Sequence, residues 1–234
     1  MHKHRRSHRY KPYLNYKARQ TVISHQGMRI VCLSDTHSRT DYIEVPDGDV
    51  LIIAGDVCLR GLKSEMHAFD EFLERMPHRY KLLVAGNHDF PFERCNKKKA
   101  RTLVKQAIYL ENSGVELFGL KFWGSPWQPE FYHWAFNLPR GQPLAEIWSL
   151  IPDDTDVLIT HTPPYGILDH LDTGRHVGCV DLTHALRRVQ PKLHVFGHIH
   201  EAYGLFEQSG TTFINACICD ERYQPVNAPI VFDL

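Results

Sequence analysis

The sequence predicts an α/β fold in which short apolar strands alternate with helices and a second sheet packs on the first. Three observations carry this. Five runs, RIVCL (29–33), VLIIA (50–54), KLLVA (81–85), DVLIT (156–160) and LHVF (193–196), have the length and near-continuous hydrophobicity of strands buried on both faces. Segments of helical period lie between them, the pattern of α/β proteins. The last thirty residues become strand-rich again, through TTFINACI and PIVFDL.

Taken in order, KSEMHAFDEFLERM (63–76) spaces Met66, Phe69, Phe72, Leu73 and Met76 along one helical face. KKKARTLVKQA (97–107) and VDLTHALRRV (180–189) also suit helices. GVELFGLKFWGSP (114–126) reads as a hairpin or two short strands. Residues 21–234 read as one domain, with no internal repeat and no long Gly/Ser linker.

Of the 234 residues, 43% are apolar and 23% charged, which places the chain among globular proteins and excludes a disordered or fibrous class. No apolar run approaches the ~18 residues of a membrane span, and no signal-peptide core is present. An intracellular, cytoplasmic location is expected. The six cysteines form no CxxC pair, and several lie in apolar runs, so they read as buried free thiols. Net charge is zero but uneven. Residues 1–20 hold seven Lys or Arg and no acid, which leaves 20 basic and 27 acidic residues in the remainder. The favoured reading of this tail is a solvated, flexible arm; a nucleic-acid or acidic-surface patch and a presequence are the alternatives.

Each strand candidate is followed at once by metal-ligand chemistry. Asp35 and His37 follow the first, Asp56 the second, Asn87, His88 and Asp89 the third, His161 the fourth, and His198 and His200 the fifth. Any one of them alone reads as a turn residue or a satisfied polar group. Together, in strands sharing a sheet, they would converge on one rim, where α/β sheets place their ligand sites. Gly55, Gly86 and Gly197 stand where the backbone must turn sharply. Carboxylates, imidazoles and an amide, without thiolate, suit borderline-hard divalent ions. The donors are too many for one four-coordinate ion; two ions ~3.5–4 Å apart sharing a carboxylate fit better. His198 and His200, two apart on an extended segment, would point to one side and each serve a different ion. Two divalent ions, two aspartates and a bridging hydroxide leave a small positive charge, which suits a phosphate ester.

D-x-H at 35–37, GD at 55–56, GNHD at 86–89, THTPP around His161 and GHIH at 197–200 resemble, in order, the motifs of the calcineurin-like metallophosphoesterases. GSPWQPEF (124–131), THTPPYGILD (160–169), HVFGHIHEAYG (194–204) and the last twenty residues are similar to the metallophosphoesterase-domain-containing subfamily. That subfamily is similar in turn to class III cyclic-nucleotide phosphodiesterases. The resemblance implies a four-layer α/β/β/α sandwich with two mixed sheets. It implies one ion on Asp35, His37 and His200, another on Asn87, His161 and His198, Asp56 between them, and His88 facing the phosphate. Two divalent ions are implied, manganese favoured, with iron, zinc, nickel or magnesium as alternatives. The implied reaction is in-line attack of a metal-bridging hydroxide on a small phosphodiester, a nucleotide foremost. The rivals are a phosphomonoesterase or protein phosphatase, and a nucleotide-binding scaffold with weak turnover.

Two features bear on that choice. Many family members carry an Asp three residues after the GD aspartate, where it orients the GNH histidine; here Leu59 holds that place, and Asp89 is the substitute nearest in sequence. Some members of the subfamily carry Gly at the second GHxH histidine, whereas this chain keeps His200. Arg60 reads equally as a phosphate contact or a surface ion-pair partner. Trp127, Phe131, Tyr132 and Trp134 read foremost as core and lid packing, and alternatively as a base-stacking platform. His67, His78 and His184 read as solvated, and His2, His4 and His8 belong to the tail.

Overall fold

The computed structural model describes Tyr13–Leu14 and residues 27–234; the rest of the basic tail lies outside the described residues. In chain order the strands are β1 (Tyr13–Leu14), β2 (Arg29–Leu33), β3 (Val50–Ala54), β4 (Tyr80–Val84), β5 (Ile108–Tyr109), β6 (Ser113–Leu117), β7 (Leu120–Ser125), β8 (Gln128–Pro129), β9 (Asn137–Leu138), β10 (Val157–Thr160), β11 (Leu193–Phe196), β12 (Gly204–Gln208), β13 (Thr211–Asn215) and β14 (Ile230–Asp233). The helices are α1 (Lys63–Glu74), α2 (Phe90–Glu93), α3 (Lys97–Ala100), α4 (Gln142–Ser149) and α5 (Val180–Val189).

Two large mixed sheets result. One runs β14-β2-β3-β4-β5 and the other β1-β6-β7-β10-β11-β13-β12; β8 and β9 pair apart from both. The five strands followed by candidate ligands therefore do not share a sheet: three lie in the first and two in the second. Nor is the second sheet a late addition, since β6 and β7 belong to it while β14 returns to pair antiparallel with β2. The two sheets pack face to face, and alternation along each strand decides which neighbour a side chain meets.

Three apolar layers follow from that alternation. Val31, Leu33, Leu51 and Ile53 face α1, which buries Met66, Phe69, Phe72 and Leu73 as its spacing predicts. Ile30, Cys32, Val50 and Ile52 face the second sheet through Val157, Ile159, Leu193 and Val195. Leu158, Phe196 and Phe213 face α4 and α5, meeting Leu144, Trp148, Leu182 and Leu186. The order is helix, sheet, sheet, helix. Strands sandwiched in this way have no polar face, which is why their sequences read as unbroken apolar runs.

The expected helix over 97–107 stops at Ala100. Lys97 and Arg101 are like charges one turn apart, and Thr102 turns its hydroxyl onto the Lys99 carbonyl. The amides of Lys105 and Gln106 are captured by Asp70 Oδ1 of α1, at 2.8 and 2.9 Å, so helical bonding cannot continue. His78, expected in solvent, is buried just before β4. All six cysteines are free thiols and five are buried. No helix among the described residues is long and apolar enough to cross a membrane.

Candidate metal centre

The carboxyl ends of β2, β3 and β4 meet those of β10 and β11 at one rim. There the backbone leaves each strand abruptly. Asp35, His37, Asp56 and His198 all occupy the left-handed region, at φ of 53°, 42°, 53° and 71°. For residues with a Cβ this costs on the order of 1–2 kcal/mol each and is typical of functional sites. His198 and His200 are therefore not on an extended segment: His198 is left-handed and His200 opens a 3-10 turn, His200–Ala202. They still diverge, because His198 packs on His161 with ring centroids 5.0 Å apart while His200 Nε2 reaches Asp35 Oδ1 at 3.2 Å.

The motif glycines make room for this. Gly86 and Gly197 do not have positive φ, and so are not required for a turn as the sequence suggested. A Cβ on Gly197 would lie 2.0 Å from Asp35 Oδ2, and one on Gly86 would lie 2.1 Å from Asp56 Oδ1. The carboxylates lie directly against bare Cα atoms.

Ring orientation is fixed from behind. Nδ1 of His37 donates to the Cys58 carbonyl (3.2 Å), that of His161 to Ala54 (2.9 Å) and that of His200 to Asp220 (2.8 Å). This leaves each Nε2 as an unshared acceptor. Those acceptors face one another. His37 Nε2 lies 3.3 Å from His200 Nε2, and His161 Nε2 lies 2.9 Å from Asn87 Oδ1 and 3.5 Å from Asp56 Oδ2. Lone pairs opposed at such distances need a cation or protons between them. Asp35 with His200 and Cys217, His37 with Asp56 and His88, and Asp35 with Asp56 and His161 each bring donor atoms within 4.8 Å of one another. The residues fit a divalent metal.

Protonation tells the same story. Burial drives His37 down to about 4 and His198 down to about 3. For His161, burial is outweighed by Asp56, and its pKa rises to about 9. For His200, burial is outweighed by the hydrogen bond and charge of Asp35, again giving about 9. Asp35 and Asp56 are held below the usual carboxylate range, against their burial, by these imidazoles. Metal-free, the rim balances its two carboxylates with imidazolium protons.

Asp35 Oδ2 accepts from Ser34 Oγ (2.5 Å), the His198 amide (3.0 Å) and Cys217 Sγ (3.1 Å). Its other oxygen is thereby left to the ring nitrogens. Cys217 follows β13 in the C-terminal segment of subfamily resemblance, but its place beside Asp35 comes from the fold. Asp89 does not orient His88. Its carboxylate accepts from the amides of Val57, Cys58 and Gly86, and burial followed by the charge of Asp56 raises its pKa to about 6. Nδ1 of His88 instead meets the Leu59 carbonyl at 2.8 Å. That carbonyl is aimed by Glu65, whose carboxylate gathers the amides of Leu59, Arg60 and Leu62.

A cleft of about 410 Å3 opens over the rim. Trp134 stacks on His88 with centroids 4.2 Å apart at 31°, and Tyr223 lies edge-on to His37 at 4.6 Å. The aromatic stretch divides: Trp127 packs against Phe136, Tyr132 is exposed, and Phe131, itself exposed, lines the cleft together with Trp134. Arg140 and Arg175 line it too, whereas Arg60 does not; it is exposed, its amide bound to Glu65. Neither arginine belonged to a motif, and Tyr223 lay in the C-terminal segment of subfamily resemblance without a role assigned to it.

The profile of the calcineurin-like phosphoesterases matches residues 28–202. Metallophosphoesterase domain-containing protein 1 of Homo sapiens is 49% identical over 230 residues, covering 88% of this chain and 71% of the relative; the Mus musculus protein matches equally. The fold resembles that of phosphopantetheinyl hydrolase from Mycobacterium tuberculosis, with a TM-score of 0.58 at 16% identity over 87% of this chain and 96% of that one. It also resembles a protein of Thermus thermophilus, with a TM-score of 0.55 at 15% identity over 81% and 89%. Facing lone pairs on two sheets, five motifs in order and a profile spanning most of the sequence have one common account: this chain belongs to the calcineurin-like phosphoesterase family, which implies metal-dependent hydrolysis of phosphoric esters at a dinuclear divalent centre.

Proposed function

We propose that this chain hydrolyses small phosphodiesters, nucleotides foremost. Asp35, His37 and His200 would hold one divalent ion and Asn87, His161 and His198 the other, with Asp56 between the two sets. The opposed Nε2 and carboxylate lone pairs carry this reading. A donor set of carboxylates, amide and imidazoles suits borderline-hard divalent ions, of which we take manganese first, with iron, zinc, nickel or magnesium as alternatives. When bound, the ions supply Lewis acidity and lower the pKa of water.

The chain's own groups do the rest. The main-chain carbonyls behind the rings hold Nε2 inward and spare the site any reorientation. His88, tied through Nδ1 to Leu59, directs Nε2 toward the cleft, 3.9 Å from Asp56 Oδ2. As the bond from phosphorus to the leaving oxygen breaks and water oxygen bonds to phosphorus, an Nε2 proton would pass to that leaving oxygen. Trp134 and Tyr223 cover the ring and limit water.

Charge supports the diester. Glu130, Glu201 and Glu221 line the cleft beside two guanidiniums. Arg140 already donates to the Val177 and Gly178 carbonyls, each at 2.8 Å. Such walls repel a dianionic monoester more than a monoanionic diester. The test is turnover of bis(p-nitrophenyl) phosphate beside p-nitrophenyl phosphate, with manganese added to chelator-stripped protein. A kcat/KM at least about tenfold higher for the diester is expected, a difference of about 1.4 kcal/mol in barrier. Preference for the monoester overturns the diester reading. Nucleotide binding without turnover of either ester would assign the chain to the scaffolds.

A further inference from the structure

The metal rim lies at the carboxyl ends of the strands. At the amino end of β4 a second concavity of about 270 Å3 opens between β4, β5 and the chain after α3. Nine residues line it. Four are cationic, Arg79, Lys81, Arg101 and Lys105, and none is acidic. This runs against the composition of residues 21–234, where acids outnumber cations 27 to 20.

No carboxylate lies among the lining residues to cancel this charge. Lys81 is half-buried, and burial pulls its pKa down. The side chains of Lys81, Arg101 and Lys105 make no ion pair among the described residues. Asp70, at the edge, holds the amides of Lys105 and Gln106 through Oδ1 and forms no ion pair with a groove side chain among the described residues. Residues 1–26 contain no Asp or Glu, so nothing in that part of the chain can neutralise the groove. Arg79 is preorganised: its Cζ lies 5.3 Å from the Tyr80 ring and 5.4 Å from that of Phe118, and those two rings meet edge-on at 5.4 Å. Lys81, Arg101 and Lys105 share one concavity without a carboxylate among its lining residues, and an anion of several charges would relieve their mutual repulsion. One guanidinium already fixed by rings lowers the ordering cost of binding such an anion.

We propose that this groove is a second anion site that takes clustered phosphates, as a free polyphosphate or as the phosphorylated headgroup of an acidic lipid. It holds no residue of the metal rim, so it stands whether or not the diesterase reading does.

The test compares wild type with two double variants of equal charge loss: Arg101→Gln with Lys105→Gln in the groove, and Lys98→Gln with Lys99→Gln, exposed on α3 and outside it. Inorganic triphosphate is titrated into chelator-treated and manganese-loaded full-length protein. Separately, the protein is sedimented with phosphatidylcholine vesicles, with and without phosphatidylinositol bisphosphate. Wild type should bind at least one probe, more weakly as salt rises and equally with or without chelator. The groove variant should lose roughly tenfold in affinity and the α3 variant less than about threefold. The melting temperature of both variants should stay within about 2 °C of wild type, which verifies folding independently of any turnover. Sensitivity of triphosphate alone assigns a free polyphosphate, and sensitivity of vesicles alone assigns a lipid headgroup. The proposal is overturned by binding of neither probe, by binding that disappears with chelator, or by equal losses in both variants. A single-stranded oligonucleotide is titrated in parallel, and a groove-dependent loss seen with it alone equally overturns the proposal.

Discussion

His88 is held by a neutral carbonyl where relatives of the protein-phosphatase type use a carboxylate. A carboxylate would both aim the ring and stabilise its positive charge; the Leu59 carbonyl aims it and stabilises the charge less. His88→Ala should therefore cost about 10²–10⁴-fold in kcat/KM with a nucleoside leaving group, the usual range for general acid help. With a nitrophenyl leaving group, which needs no proton, the loss should be much smaller. Equal losses in the two series would exclude proton donation. Leu59→Asp should bring no gain on poor leaving groups, because Nδ1 already has a partner. That Asp35, His37, Asp56, Asn87, His161, His198 and His200 gather at one rim was largely legible, since each follows an apolar strand directly. What was not legible was direction. Asp89 lies next to His88 yet faces three amides, Arg140 reaches the site from a segment without any signature, and Cys217 and Tyr223 come from the C-terminal segment of subfamily resemblance, which gave them no role.

The strand ends show what an element must give up to hold such groups. Gly197 ends β11 against the carboxylate that follows β2, at a separation no Cβ allows. Gly197→Ala should displace Asp35 or the β11 loop, costing about 1–3 kcal/mol of stability as overpacking does. Its manganese affinity should fall with it, and a melt together with metal titration checks both. A variant that melts and binds metal like wild type would mean that the loop yields freely. The apolar strands were readable because burial on both faces leaves an unbroken pattern. The helix expected over 97–107 was not, because its end is set by Asp70, about thirty residues earlier, capturing two amides. His78 shows the same limit, its burial being decided by tertiary packing before β4.

Across the whole molecule, the rim is where two sheets meet, so each set of donors includes side chains from both. Metal should tie the sheets together and raise Tm, by the equivalent of about 2.7 kcal/mol at a hundredfold excess over Kd. The pH dependence has a definite sign. His161 and His200 are raised in the fold, to about 9. Their contribution to metal-free stability is complete below the unfolded value of about 6.5 and is lost as pH rises through about 9. Metal must displace those protons, so its affinity grows over the same interval. The gain in Tm on adding manganese should therefore increase from pH 6.5 to 9, with proton release measurable by calorimetry in buffers of different ionisation heat. A gain that shrinks toward pH 9 would contradict the proton-balanced rim. Two layered sheets were foreseeable from the resemblance, but their interleaving was not, because strand order is a property of long-range pairing. That interleaving has a temporal side. β14, at residues 230–233, hydrogen-bonds along β2, whose last residue precedes Asp35 by only two positions. During synthesis the strand that launches the first aspartate waits for nearly two hundred further residues before its outer edge is covered. Until then it presents an open row of amides and carbonyls to the crowded surroundings of the ribosome, an interval in which a chaperone has the most to protect.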